Sequence, residues 1–139
     1  LEKLAQLLQD KVEFFAILHG GIKQKQRRET FKRIKECPDH CRKAILATGS
    51  YIGEGFDEPR LDTLFLTMPS SFKGKIVQYA GRLHRYHKDK QDVQIYDYVD
   101  NGVSVLERMF QRRLKTYKML GYEIDAKSVS SKWWILAFR

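Results

Sequence analysis

Val12-Glu13-Phe14-Phe15-Ala16-Ile17-Leu18-His19-Gly20-Gly21 is the stretch on which the fold turns. Its apolar residues run almost without interruption, as in a strand covered on both faces within a parallel sheet. His19-Gly20-Gly21 then breaks the run. Upstream, Leu1, Leu4, Leu7 and Leu8 recur at helical spacing, so a short helix precedes the strand with one apolar stripe to bury. Downstream, residues 24–35 are charged and free of glycine and proline. There Phe31 and Ile34 are the inward-facing pair of a largely exposed helix, and Pro38 lies just past its end.

The same alternation repeats along the chain. Ala44-Ile45-Leu46-Ala47-Thr48 reads as a second buried strand, ending in a glycine-punctuated loop over 49–59. Leu64-Phe65-Leu66-Thr67 is a third strand. Ile76, Val77, Ala80 and Leu83 then place a helix over 73–84. The fourth strand, over 93–99, alternates enough to suggest an edge-like position with one wetter face. Val103, Leu106, Phe110, Leu114 and Tyr117 trace one face of a long helix starting near Asn101, with Gly121 as its stop residue. Strands alternating with helices imply right-handed crossovers and an α/β fold, with a mainly parallel sheet and helices on both faces. The domain spans 1–121. Residues 122–139 form an extension without readable periodicity, which would pack on this domain or on a neighbour.

The 139 residues, 42% of them hydrophobic, suffice for one domain with its own core. Lys and Arg outnumber Asp and Glu by 26 to 17, and the net charge of +9 favours polyanionic partners. No apolar run reaches membrane-spanning length and the start lacks a signal-peptide layout, so the expectation is a cytoplasmic domain without a membrane partner. Cys37-Pro38-Asp39-His40-Cys41 offers three nearby metal ligands where zinc needs about four, so these are read as reduced thiols and no metal site is expected. The chain starts without Met and inside a helix, as a fragment would.

In open α/β sheets ligands collect at the carboxyl ends of the strands. Three segments there carry unusual residues. The first is His19-Gly20-Gly21. The second runs from Thr48-Gly49 to Gly53-Glu54-Gly55-Phe56-Asp57-Glu58-Pro59, where glycines allow positive φ and expose N–H groups to phosphate, Thr48 can donate a hydrogen bond, and Asp57 can accept from a ribose hydroxyl. The third is Gln78-Tyr79-Ala80-Gly81-Arg82-Leu83-His84-Arg85. Two guanidiniums three apart on a helix share a face and can clamp phosphate oxygens, and Gly81 permits close approach. Alone, such a pair is indistinguishable from solvated surface charge.

In this order and spacing, the three segments resemble the second RecA-like domain of superfamily 2 helicases: motif Ib or IVa, motif V and motif VI, over roughly residues 1–100. The resemblance implies a three-layer RecA-like fold and the second motor lobe of an ATP-dependent helicase or translocase. By it, Arg85 is the arginine finger and Arg82 its companion. Gln78, Gly55 and Asp57 face the nucleotide, while Thr48, Gly49, Gly20 and Gly21 face the nucleic-acid backbone. Gly49 departs from the DEAD-box pattern, which has Asp after Thr. A motif VI opening with Gln and a Gly-Glu-Gly-Phe-Asp motif V look nearer the restriction-subunit and repair-helicase branches, so DNA is favoured over RNA.

A Gly-x-x-x-x-Gly-Lys-Ser/Thr loop and an Asp-Glu-x-His or Asp-Glu-Ala-Asp segment are absent, as is the strand that carries motif IV. ATP and Mg2+ are therefore expected to be held mainly by a first RecA-like lobe outside this chain, and the fragment alone to be inactive. The rival is a non-catalytic nucleic-acid-binding scaffold using the basic side of the last helix, with Arg108, Arg112, Arg113, Lys115 and Lys118. A Rossmann-type enzyme ranks last, because Gly49, Gly53 and Gly55 have the wrong spacing.

Overall fold

Two pairs of parallel strands organise the chain, one in each of two compact units, Leu1–Glu58 and Pro59–Arg139. The computed structural model describes residues 1–49, 51, 56–68, 73–100, 102–125 and 133–138.

In the first unit, helix α1 (Glu2–Leu8) runs through a short 3-10 turn into β1 (Phe14–Leu18). Helix α2 (Gln24–Glu36) then returns the chain to β2 (Lys43–Ala47), parallel to β1 with Phe14 opposite Lys43 and Leu18 opposite Ala47. The backbone N–H of Lys23 donates to Gln26 Oε1 at 3.2 Å at the start of α2, and Cys37 with Pro38 ends it. Ile34 is buried, as its spacing predicts, and Phe31 packs on Phe56 at a centroid distance of 5.9 Å.

Two expectations fail in this unit. The leucine stripe of α1 stays largely in solvent, with Leu7 69% exposed and only Ala5 buried along the helix. Along β2 every residue is half-buried, and in β1 only Ala16 and Leu18 are fully buried. A continuous apolar run records tolerance of burial, not the amount of cover it receives.

In the second unit β3 (Thr63–Leu66) pairs in parallel with β4 (Val93–Tyr98), and α3 (Lys73–Leu83) lies between them in sequence. Helix α4 (Ser104–Met119) follows and packs against α3. Two further strands, β5 (Glu123–Asp125) and β6 (Trp133–Phe138), complete a four-stranded sheet in the order β3-β4-β6-β5. The β4–β6 and β5–β6 pairings are antiparallel.

β4 is thus interior, not edge-like. Its alternation arises because Val93, Ile95 and Asp97 point to the buried face while Gln94, Tyr96 and Tyr98 stay half-buried. Likewise, the strands expected in one sheet form two sheets among the described residues. Periodicity identifies strands but does not say which ones pair.

The end of α4 follows the glycine signal. Gly121 adopts φ 86°, its N–H donates to Lys118 O at 3.1 Å, and the N–H of Tyr122 reaches Tyr117 O at 3.1 Å. These are the two bonds of a Schellman stop, in which the left-handed position is best filled by glycine.

The face of α4 is rotated from the predicted one. Phe110 and Tyr117 are buried, but so are Arg113 and Thr116, whereas Val103 is exposed. The cause is a buried polar cluster. Arg113 donates through Nε to Asp97 Oδ2 at 2.7 Å and through its terminal nitrogen to Oδ1 at 2.8 Å, and the Tyr117 hydroxyl donates to Oδ2 at 2.9 Å. Asp97 sits on the buried phase of β4, where a carboxylate must have partners. Arg113 therefore leaves the basic face on which the scaffold reading relied.

Candidate functional site

Within the first unit, β1 and β2 bring two of the three loops together at their carboxyl ends. The N–H of Thr48 donates to Leu18 O at 3.0 Å, carrying the parallel ladder one step beyond the strands. The N–H of Tyr51 then turns back to Thr48 O at 2.9 Å. On the facing loop, Gly20 lies so close that a Cβ there would stand 3.1 Å from the Tyr51 hydroxyl oxygen. Gly21 donates its N–H to His19 Nδ1 at 3.1 Å, and a Cβ on it would meet the His19 ring at 3.0 Å.

Gly20, Gly21 and Gly49 are exposed and Thr48 is half-buried, so these four predicted residues line one accessible edge. Among the described residues only Gly121 has positive φ. Gly49 therefore does not use the conformational freedom expected of it, and at Gly20 and Gly21 what glycine supplies is room. Gly53 and Gly55 lie outside the described residues.

The end of the second loop is pinned from both sides of Asp57. Phe56 is buried against Phe31, and buried Glu58 lies 3.7 Å from the Lys43 ammonium at the start of β2, with both of their side chains enclosed. Burying the residues on either side turns Asp57 outward, and it is exposed. The acceptor role assigned to it needs that presentation. Phe56 and Glu58 were missed as anchors. The available signal was Phe56, an apolar residue within a glycine-rich loop.

The third segment lies in the second unit. Ile76, Tyr79, Ala80 and Leu83 form the buried side of α3, so Tyr79 takes the place expected of Val77, which is exposed. Gln78 is exposed and Arg82 half-buried, four residues apart along one side of the helix. Gly81 is exposed as well, and a Cβ there would meet nothing within 4 Å.

Helix α3 ends at Leu83, not His84, so Arg85 does not share a helical face with Arg82. A tight turn presents it instead: the N–H of Arg85 donates to Arg82 O at 3.2 Å and that of His84 to Ala80 O at 3.0 Å. Arg85 is exposed. The Lys90 ammonium closes this turn with bonds to Leu83 O at 2.7 Å and Arg85 O at 2.9 Å. Between the arginines, His84 stands edge-on to Tyr122 at 5.5 Å, and partial burial together with the Lys90 charge holds its pKa below the ordinary histidine value.

Cys37 is buried and Cys41 half-buried, both as free thiols. Burial and the neighbouring Cys37 push the Cys41 thiol up, away from the thiolate that metal ligation needs. No group of three or more His, Cys, Asp or Glu is placed to hold a metal among the described residues. Nor is any described helix long and apolar enough to cross a membrane.

These loops and arginines are matched by the model of the helicase conserved C-terminal domain, over residues 1–87. The chain belongs to this family. The helicase C-terminal domain is a RecA-like α/β domain, in agreement with the class read from the strand pattern. The chain is 38% identical over 79 residues to a protein named "Putative helicase 161L" from Invertebrate iridescent virus 6, an alignment covering 57% of this chain and 17% of that protein. It is 36% identical over 80 residues to "Uncharacterized protein 108L" of Invertebrate iridescent virus 3, covering 58% of this chain and 72% of that one. The chain thus spans under a fifth of the first relative. No solved structure matches it.

Proposed function

We propose that this helicase C-terminal domain is the second motor lobe of an ATP-driven helicase or translocase. ATP and Mg2+ are held mainly by a first RecA-like lobe of the same protein. Arg85 acts as the finger on the transferring γ-phosphate and Arg82 as its companion, with Gln78, Gly55 and Asp57 toward the nucleotide. The edge formed by Gly20, Gly21, Thr48 and Gly49 grips the backbone of nucleic acid, DNA in preference to RNA. This chain by itself does not hydrolyse ATP.

The observation that carries the reading is the presentation of Arg85. It lies within the family match and is held outward in a turn fixed by three backbone carbonyls, those of Arg82, Leu83 and Arg85 itself. An exposed arginine on a turn whose backbone is held suits charge that develops on phosphate oxygens. Arginine fingers contribute about 10³–10⁵ in rate in phosphoryl-transfer systems.

In the complete protein, Arg85→Ala is expected to abolish nucleic-acid-stimulated ATP hydrolysis while ATP binding persists. Wild-type turnover in that variant would end the assignment. The scaffold alternative loses ground because Arg113 is buried on Asp97 and unavailable to a phosphate backbone.

A further inference from the structure

The turn that carries Arg85 is closed by a residue outside the three sequence segments. The last carbonyls of a helix lack intrahelical donors and carry partial negative charge. At the end of α3 one ammonium, Lys90 Nζ, answers this with a bond to Leu83 O at 2.7 Å, and it also holds Arg85 O, in the turn that follows, at 2.9 Å. The second bond matters more, because it falls on the peptide of Arg85 itself. Lys90 returns to this point because its own N–H donates to His87 O at 3.1 Å, folding residues 87–90 into a turn ahead of β4. From the other side, Tyr122 rests on His84 and on Tyr117, whose hydroxyl is fixed by Asp97. A chain of contacts thus runs from the interior strand β4 to His84, and Lys90 ties the following residue to the helix end.

We propose that Lys90 is a positioning residue for Arg85: its ammonium, bridging the Leu83 and Arg85 carbonyls, sets the direction in which the Arg85 side chain leaves the turn. The inference rests on the reading of Arg85 as the finger. Lysine suits the task because its three donors on a compact head can serve two carbonyls at once. Lys90 touches no reacting atom, so its effect belongs to kcat, and misplacement of a reacting group by about 1 Å costs roughly 100-fold.

The test uses the complete protein with Lys90→Met, Lys90→Arg and Arg85→Ala side by side. It reads DNA-stimulated kcat, KM for ATP, and affinity for a single-stranded DNA oligonucleotide. Lys90→Met, which keeps the stem and removes the donors, is expected to lower kcat by roughly 10- to 100-fold, with KM and DNA affinity near wild type. Lys90→Arg is expected to recover most of the rate. Wild-type kcat in Lys90→Met beside an inactive Arg85→Ala would overturn the positioning role and leave the finger standing. Wild-type kcat in Arg85→Ala would overturn both. Parallel losses of kcat and DNA affinity in Lys90→Met would mark general loosening and also overturn the role. If Lys90→Met does not fold, Lys90→Arg decides: a folded but slow protein refutes the proposal and a fast one supports it.

Discussion

Arg113→Met is the sharpest probe of what holds the second unit together. Arg113 is 2% exposed and Asp97 0%, and the guanidinium makes two short bonds to that carboxylate beside the one from Tyr117. Removing one partner of a buried pair strands the other, at a cost of about 3–5 kcal/mol. For a chain of this size that corresponds to a fall in Tm of about 10–20 °C. The double variant Asp97→Leu/Arg113→Met removes both charges and is expected to recover part of the loss, because apolar replacement of a buried pair is often neutral while the Tyr117 hydroxyl loses its acceptor. The pH dependence adds a second reading. Burial raises the Asp97 carboxyl above its ordinary value, outweighing the lowering by Arg113 and Tyr117. A carboxyl raised in the folded state binds more protons there than when unfolded, so this group costs stability as pH rises from about 4 through its folded pKa. Without Arg113 the pKa rises further, so the penalty is expected to be largest at neutral pH and to shrink on acidification. Urea and thermal denaturation of wild type and the two variants, at several pH values, measure all of this. A penalty below about 1 kcal/mol at pH 7, or a double variant worse than Arg113→Met, would refute the account.

Two further outcomes are expected. Phe56→Ala should cost about 3–5 kcal/mol, read by urea denaturation, because a buried ring is removed from against Phe31. Titration of His84 by NMR should give a pKa below the ordinary value, moving upward in Lys90→Met as the ammonium charge is lost. Because the folded state disfavours charged His84, its contribution to stability is complete above about pH 6.5 and declines as pH falls through the depressed pKa.

Much of this architecture is legible in the sequence. Strands β1 to β4, helices α2 to α4 and the glycine stop at 121 follow from apolar period and turn chemistry. What stays hidden depends on pairing. The direction of β6 is set by β4, and the cover received by β2 is set by neighbours its own residues do not specify. Arg113 was misassigned because a guanidinium three residues past Phe110 looks solvated unless Asp97 is recognised as a carboxylate on the buried phase of a strand. In the site, residue identities were readable but their presentation was not. Arg85 leaves the helix two residues after its end, and Asp57 faces outward because Phe56 and Glu58 face in.

The sheet of the second unit carries a practical lesson about where this domain can be cut. Similarity to the family stops at residue 87, yet β3 finds its parallel partner at Val93–Tyr98, and that strand is in turn covered along its other edge by Trp133–Phe138. A gene fragment ended where the resemblance ends would produce Thr63–Leu66 without its partner strand, leaving that rim of its backbone open, the condition that recruits strands from other molecules. The frontier of kinship and the frontier of autonomous folding lie in different places along this polypeptide.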